Sequence, residues 1–219
     1  MPSSLLSIYE RLLAAYGPQD WWPADSPFEV IVGAILTQRV SWTNVEEALA
    51  ALRAAGLMDP ERLAAAAPER ISSLIRPCLY YNAKTRKLQA FVRFLLEHHD
   101  GSLDRLFSLP TGTLRQALLL VHGIGEETAD AILLYAAGRP SFVVDAYTRR
   151  ILSRLGLMPH HTAYRAIQDR FAAALPRDAA VYGECHALLV RHGKTRCRSR
   201  GPRCDGCPLS GICTFPEAQ

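Results

Sequence analysis

The chain has 219 residues, 49% of them hydrophobic and 21% charged, a globular composition far from disordered, collagen-like or membrane-embedded chains. That length suits one large domain or two small ones, with a core that needs no disulfides. The net charge of +4 conceals an asymmetry: residues 1–137 hold 12 Lys/Arg against 15 Asp/Glu, net −3, and residues 138–219 hold 13 against 6, net +7.

Leu5, Leu6, Tyr9, Leu12, Leu13 and Tyr16 recur at three-and-four spacing and meet Gly17, which predicts an amphipathic helix and its stop. Ser26-Pro27-Phe28-Glu29 reads as a capping box with proline at the first helical position, opening a helix to about Gln38. The apolar run at 30–36 inside it is too short to span a bilayer. Thr43-Asn44-Val45-Glu46 repeats the box and opens a helix ending at Gly56, and Asp59-Pro60-Glu61 starts a short one. Helical periodicity continues over 82–98, 114–121, 128–137, 147–155, 163–175 and 179–192. Strand alternation is essentially absent, and only 141–144 reads as extended. The expected fold class is all-α, with ten or so helices and short connections.

Four of the six cysteines, Cys197, Cys204, Cys207 and Cys213, fall in the last 23 residues with the spacing C-x6-C-x2-C-x5-C. No cationic segment leads into an apolar run at the start, so a cytoplasmic chain is expected and the cluster points to metal and not to disulfides. Four thiolates suit tetrahedral zinc or an iron–sulfur cluster, and the single C-x2-C knuckle weighs toward the latter. Cys78 and Cys185 lie apart and read as small buried hydrophobes. The basic C-terminal third suits nucleic acid, or an arginine-rich solvated surface. Between two helices, Gly123-Ile124-Gly125 allows a tight turn that brings bare N–H groups against a phosphate oxygen, the logic of a helix-hairpin-helix; a helix cap followed by a new helix has the same look.

Gly-Ile-Gly-Glu-Glu-Thr-Ala-Asp-Ala-Ile from Gly123, then Val143-Val144-Asp145, then His192-Gly193-Lys194, then the cysteine run, together resemble the endonuclease III branch of the helix-hairpin-helix DNA glycosylases. The resemblance implies a six-helix barrel over 22–137 containing the hairpin at about 114–137. It also implies a discontinuous second domain, 1–21 with 138–219, ending in a [4Fe-4S] loop at 197–213. A damaged base flipped out of double-stranded DNA would be the substrate, Gly123, Gly125 and Lys194 would contact the backbone, and Gln38 would fill the gap left by the flipped nucleotide. From its position alone Gln38 is equally an exposed helix end. The enzyme would act as a monomer, with no membrane association, in the cytoplasm at a bacterial-type nucleoid.

Asp145 matches the family's catalytic aspartate, which stabilises the oxocarbenium-like sugar and orients or activates a water; locally it also reads as an N-cap. The bifunctional members carry a lysine two residues past the second glycine, and this sequence has Glu127 there. A carboxylate forms no imine, so the resemblance implies a glycosylase with weak or no lyase activity. Glu127 itself reads as a first-turn carboxylate favoured by the helix dipole. Trp21, Trp22, Pro23, Trp42 and Tyr81 resemble the base pocket of the 3-methyladenine DNA glycosylase III subgroup, which implies alkylated purine as substrate. Such a base carries positive charge and gains about 0.5–2 kcal/mol of cation–π energy from an indole face. Singly, these aromatics also read as ordinary core. The alternatives are an endonuclease III-like enzyme for oxidised pyrimidines or mismatches, a DNA-binding homologue without catalysis, and a zinc-stabilised module.

Overall fold

The computed structural model describes residues 4–215, which form twelve α-helices and, among the described residues, no strand. The chain divides into two compact units, one of residues 22–137 and one joining the residues up to 21 with those from 138 onward.

The 22–137 unit holds α2 (Pro27–Leu36), α3 (Trp42–Ala54), α4 (Pro60–Ala65), α5 (Pro68–Leu74), α6 (Tyr81–His99), α7 (Leu103–Phe107), α8 (Thr111–Leu120) and α9 (Glu126–Ala131). A π-helical turn, Ile132–Ala136, continues α9. Residues 28–36 are all buried, so α2 is the central helix, apolar on every side. Its start follows the sequence: Ser26 Oγ accepts the Glu29 N–H at 3.2 Å. The Glu29 carboxylate does not return to the cap. It is buried and accepts from Arg53 Nη2 at 2.5 Å, since a charge without solvent needs a charged partner. Two boundaries differ from expectation. The central helix stops at Leu36, short of Gln38, and α3 is capped at Ser41, so Trp42 and not the Thr43 box begins it. Asn44 of that box instead donates to the Pro77 carbonyl at 2.7 Å. Lys84 of α6 is 2% exposed and its Nζ donates to the carbonyls of Leu36 (2.7 Å) and Cys78 (2.6 Å), tying off the end of α2. Burial pushes its pKa down. Arg115 of α8 gives two N–H bonds of 2.9 Å to the fully buried carboxylate of Asp130 on α9, fastening the helix pair.

The other unit holds α1 (Leu5–Tyr16), α10 (Ala146–Arg154), α11 (Tyr164–Ala174) and α12 (Ala179–Thr195). The first of these ends at Gly17 as its sequence predicts. Residues 142–144 are buried, and Phe142 stacks on Phe171 at 3.6 Å with Tyr182 edge-on at 5.7 Å. Gln168 Nε2 donates to the Phe142 carbonyl at 2.8 Å, supplying the partner a strand would have supplied. α10 and α12 approach closely because Gly193 has no side chain: a Cβ there would lie 2.4 Å from Tyr147 Cδ1. After α12 the chain runs irregularly to Phe215, with one 3-10 turn at Ser210–Ile212. No helix among the described residues is long and apolar enough to cross a membrane.

Candidate active site and cysteine loop

Asp145 is the N-cap of α10: its Oδ1 accepts the Thr148 N–H at 2.7 Å, and its Oδ2 lies 3.7 Å from His186 Nε2 on α12. At that distance the histidine acts electrostatically on the carboxylate and not through a formed hydrogen bond. The carboxylate is 8% exposed. Burial alone pushes its pKa up, but His186 and the Thr148 N–H together outweigh it, so the group is held below the ordinary aspartate range and stays ionised. Capping and a charged, sequestered carboxylate are therefore the same feature.

The turn between α8 and α9 is built from Gly123 at φ +85° and Gly125 in extended backbone. Ile124 is buried, plugging the turn into the unit's core. The two glycines serve different ends. At Gly123 an added Cβ would sit 2.3 Å from Lys87 Cγ, whereas at Gly125 it would meet nothing within 4 Å. Gly123→Ala is thus expected to destabilise the protein by about 2–4 kcal/mol, from left-handed backbone plus the clash, and Gly125→Ala by about 0.5 kcal/mol or less. Thermal unfolding of the two variants measures the contrast; equal losses would mean that Lys87 moves aside and that the turn also relaxes out of the left-handed region. Glu127 stands exposed in the first turn of α9.

Gln38 is half-buried just past α2, and its amide is turned onto the hairpin. Nε2 donates to the Gly123 carbonyl (3.1 Å) and to Thr128 Oγ1 (3.0 Å), while Oε1 accepts from Lys87 Nζ.

Of the aromatics singled out from sequence, Trp22 and Trp42 come together edge to face, with centroids 5.2 Å apart at 88°. Tyr135, which sequence reasoning missed, adds its ring 5.4 Å from Trp22. The available signal was Gly33, a glycine inside an apolar helical run: a Cβ there would lie 3.2 Å from the Trp22 indole, so the glycine makes room for that ring. Tyr81 opens α6 with the Arg76 guanidinium over its ring at 5.6 Å, and Pro23 is exposed. Trp21 is half-buried and belongs to the unit that contains Asp145.

Cys197, Cys204, Cys207 and Cys213 all line one cavity, walled by Ile151, Leu155, Leu209 and Phe215. Among the described residues no group of three or more His, Cys, Asp or Glu is placed to hold a single metal ion. Arg154 Nη1 donates to Cys197 Sγ at 3.3 Å and Arg150 Nε to the Cys197 carbonyl at 2.9 Å, so α10 braces the loop. Burial, and then the other three sulfurs, push the Cys207 thiol up, against a Leu209 N–H that lowers it. His192 is held neutral, its pKa lowered to about 4 by burial and by Arg196 and Arg150. Its Nδ1 is hydrogen-bonded with the Tyr16 hydroxyl at 2.8 Å, and its Nε2 lies 3.9 Å from Cys207 Sγ. Lys194 is exposed in the last turn of α12. Cys78 and Cys185 are buried, as their isolation in the sequence predicts.

A hairpin pair of helices carrying Gly-x-Gly, with an aspartate capping the helix that follows, defines a helix-hairpin-helix protein. The family of HhH-GPD superfamily base excision DNA repair proteins matches residues 32–177, and the chain belongs to it. The provisionally named DNA repair glycosylase MJ1434 of Methanocaldococcus jannaschii is 43% identical over 211 residues, covering 95% of each chain. Endonuclease III of Escherichia coli (strain K12) is 27% identical over 192 residues, covering 88% of this chain and 85% of that one. The crystal structure of the H. pylori 3-methyladenine DNA glycosylase bound to 1,N6-ethenoadenine superposes with a TM-score of 0.79 at 25% identity, over 88% of this chain and 98% of that one. The all-helical architecture is accordingly the helix-hairpin-helix glycosylase fold, and the protein is a DNA glycosylase of base excision repair.

Proposed function

We propose that this glycosylase removes alkylated purines such as 3-methyladenine by hydrolysis, without a Schiff-base step, and that its C-terminal loop carries a [4Fe-4S] cluster. The observation that carries the reading is the composition of the sites: a buried, ionised Asp145 with Glu127, and no amine, after the hairpin. A carboxylate held ionised out of solvent stabilises positive charge on the sugar as the N-glycosidic bond breaks and its electron pair leaves with the base. Water then bonds to C1′ and its proton passes to Asp145 or to solvent. An alkylated purine is already cationic, so it departs without a strong general acid. Trp22 and Trp42 supply the electron-rich rings that favour a cationic base over a neutral one. The similarity to the H. pylori 3-methyladenine glycosylase supports the same substrate class.

Four thiolates around one apolar-walled cavity form the donor set of a cysteine-ligated iron–sulfur cluster, which when bound would cross-link the loop. Arg196 and Arg198 donate to the carbonyls of Asp205 and Gly201 and so shape that loop. Backbone phosphates would be held by the hairpin around Gly123 and Gly125 and by Lys194, at a nucleoid in the cytoplasm, by a single copy of the chain.

The test is release of free base from duplexes carrying methylated, oxidised or deaminated bases, scored before and after alkali. Release of 3-methyladenine with abasic sites left intact until alkali is expected, together with negligible borohydride-trapped adduct. The chain has only three lysines: Lys84 is buried on two carbonyls, Lys87 is engaged with Gln38, and Lys194 ends α12. Release of thymine glycol with efficient trapping would move the protein to the endonuclease III activity, a reading that the similarity to Endonuclease III of Escherichia coli supports. Binding without release of any base would leave a DNA-binding homologue.

A further inference from the structure

The two oxygens of Asp145 have different neighbours. Oδ1 is committed to the Thr148 N–H inside α10, at 2.7 Å, which leaves Oδ2 to face a developing charge. The side chain that meets Oδ2 comes from another helix: His186 of α12, with Nε2 at 3.7 Å. We propose that His186 is a positioning residue for base release, keeping the Asp145 Oδ2 oxygen charged and in place from the facing helix. This role rests on the reading of Asp145 as the carboxylate that stabilises the sugar, and deepens it.

Helix packing makes this meeting. His186 lies seven residues before Gly193, about two turns, and so on the same face of α12. At Gly193 the missing side chain lets the Tyr147 ring of α10 lie against α12, and Tyr147 is two residues past Asp145. The close approach of the two helices there brings imidazole to carboxylate. Both groups are nearly out of solvent, His186 7% and Asp145 8% exposed, so their interaction is screened little. A carboxylate oxygen is favoured in its charged form by a facing imidazole nitrogen that carries a proton. The other titratable and charged neighbours are turned elsewhere or oppose the charge. On α10 they are Tyr147, whose hydroxyl pKa is pushed up by burial and by Asp145, and Arg150, whose guanidinium serves the Tyr147 ring and the carbonyls of Gly193 and Cys197. α1 brings Tyr9 toward Glu184 and Cys185, the residues just before His186. Without His186, burial would act on the carboxylate against the bonds from Thr148, and Asp145 would take up a proton at higher pH, losing the charge that faces the sugar.

His186→Met removes both ring nitrogens and keeps an apolar side chain of similar reach. In single-turnover release at saturating protein, its rate is expected to fall about tenfold further than that of wild type between about pH 8 and about pH 5, because Asp145 then protonates within that range. His186→Gln, whose amide presents an N–H, should recover part of that loss. In the Asp145→Asn background His186→Met should add no pH-dependent loss. In thermal unfolding near neutral pH the two substitutions should cost less together than the sum of their separate costs, because each removes the same contact. A merely structural role predicts instead an equal fractional loss of release at every pH, with additive unfolding costs, and that result overturns the proposal. Wild type that releases no base from any duplex would defeat the reading of Asp145 as the carboxylate facing the sugar, and the unfolding comparison would still decide whether His186 holds its charge. If His186→Met does not fold, His186→Leu carries the same release and unfolding comparisons.

Discussion

Asp145→Asn is expected to lower single-turnover base release on the order of a hundred- to ten-thousandfold while duplex affinity holds or tightens slightly. In the proposed mechanism the positive charge that the carboxylate would face exists only as the glycosidic bond breaks, so its removal would cost the transition state and spare the ground state. The same substitution tests the other duty of the residue. An asparagine caps a helix about as well as an aspartate, so the bond to the Thr148 N–H is retained and α10 should stay intact at neutral pH. What is lost is the ionised group beside His186. Because the folded-state pKa of Asp145 lies below its unfolded value, its ionisation stabilises the fold above the unfolded pKa, and that contribution disappears as pH falls through the lowered one. Wild type should therefore show acid destabilisation in that window that Asp145→Asn does not share, read by thermal unfolding across pH. Undiminished single-turnover release in the variant would reduce Asp145 to a helix cap.

Cys204→Ala is expected to abolish the visible absorption of the purified protein and to release the segment after α12 from its fold. The loop has little else to hold it: one 3-10 turn at Ser210–Ile212, a single buried apolar residue in Leu209, and arginine bonds to backbone carbonyls. In such a segment metal binding is folding free energy. The core of the same unit, with Phe142, Phe171 and Tyr182, is formed by other residues and should keep its helical signal. Duplex binding should weaken and its salt dependence flatten by about 0.9 in log–log slope for each phosphate contact that Arg196, Arg198 or their neighbours no longer make. A variant that keeps both colour and stability would remove the cluster from the proposal, and a colourless wild type that contains zinc would replace it.

Several features were legible because their causes are local. Ser26-Pro27 caps α2, Gly17 stops α1, Gly123 and Gly125 turn the hairpin, and Asp145 begins α10; each depends on residues within about four positions of itself. The cysteine spacing was legible for the same reason, since its four thiols lie on one short stretch. The start of α3 was misread because Ser41 and Thr43 are both competent caps, and the neighbours of Trp42 and Asn44 belong to distant segments.

The sequence by itself determined an all-helical chain, the hairpin, a glutamate and no lysine at position 127, and four cysteines in one short loop, because composition, helical period and short spacings carry them. Only the tertiary structure decided that Trp22 meets Trp42, that Tyr135 joins them, that His186 faces Asp145, and that Gln38 bonds to a hairpin 85 residues away. Those pairings are made by packing between helices, where the partner of a side chain is set by which faces bury together. No pattern along one segment records that choice.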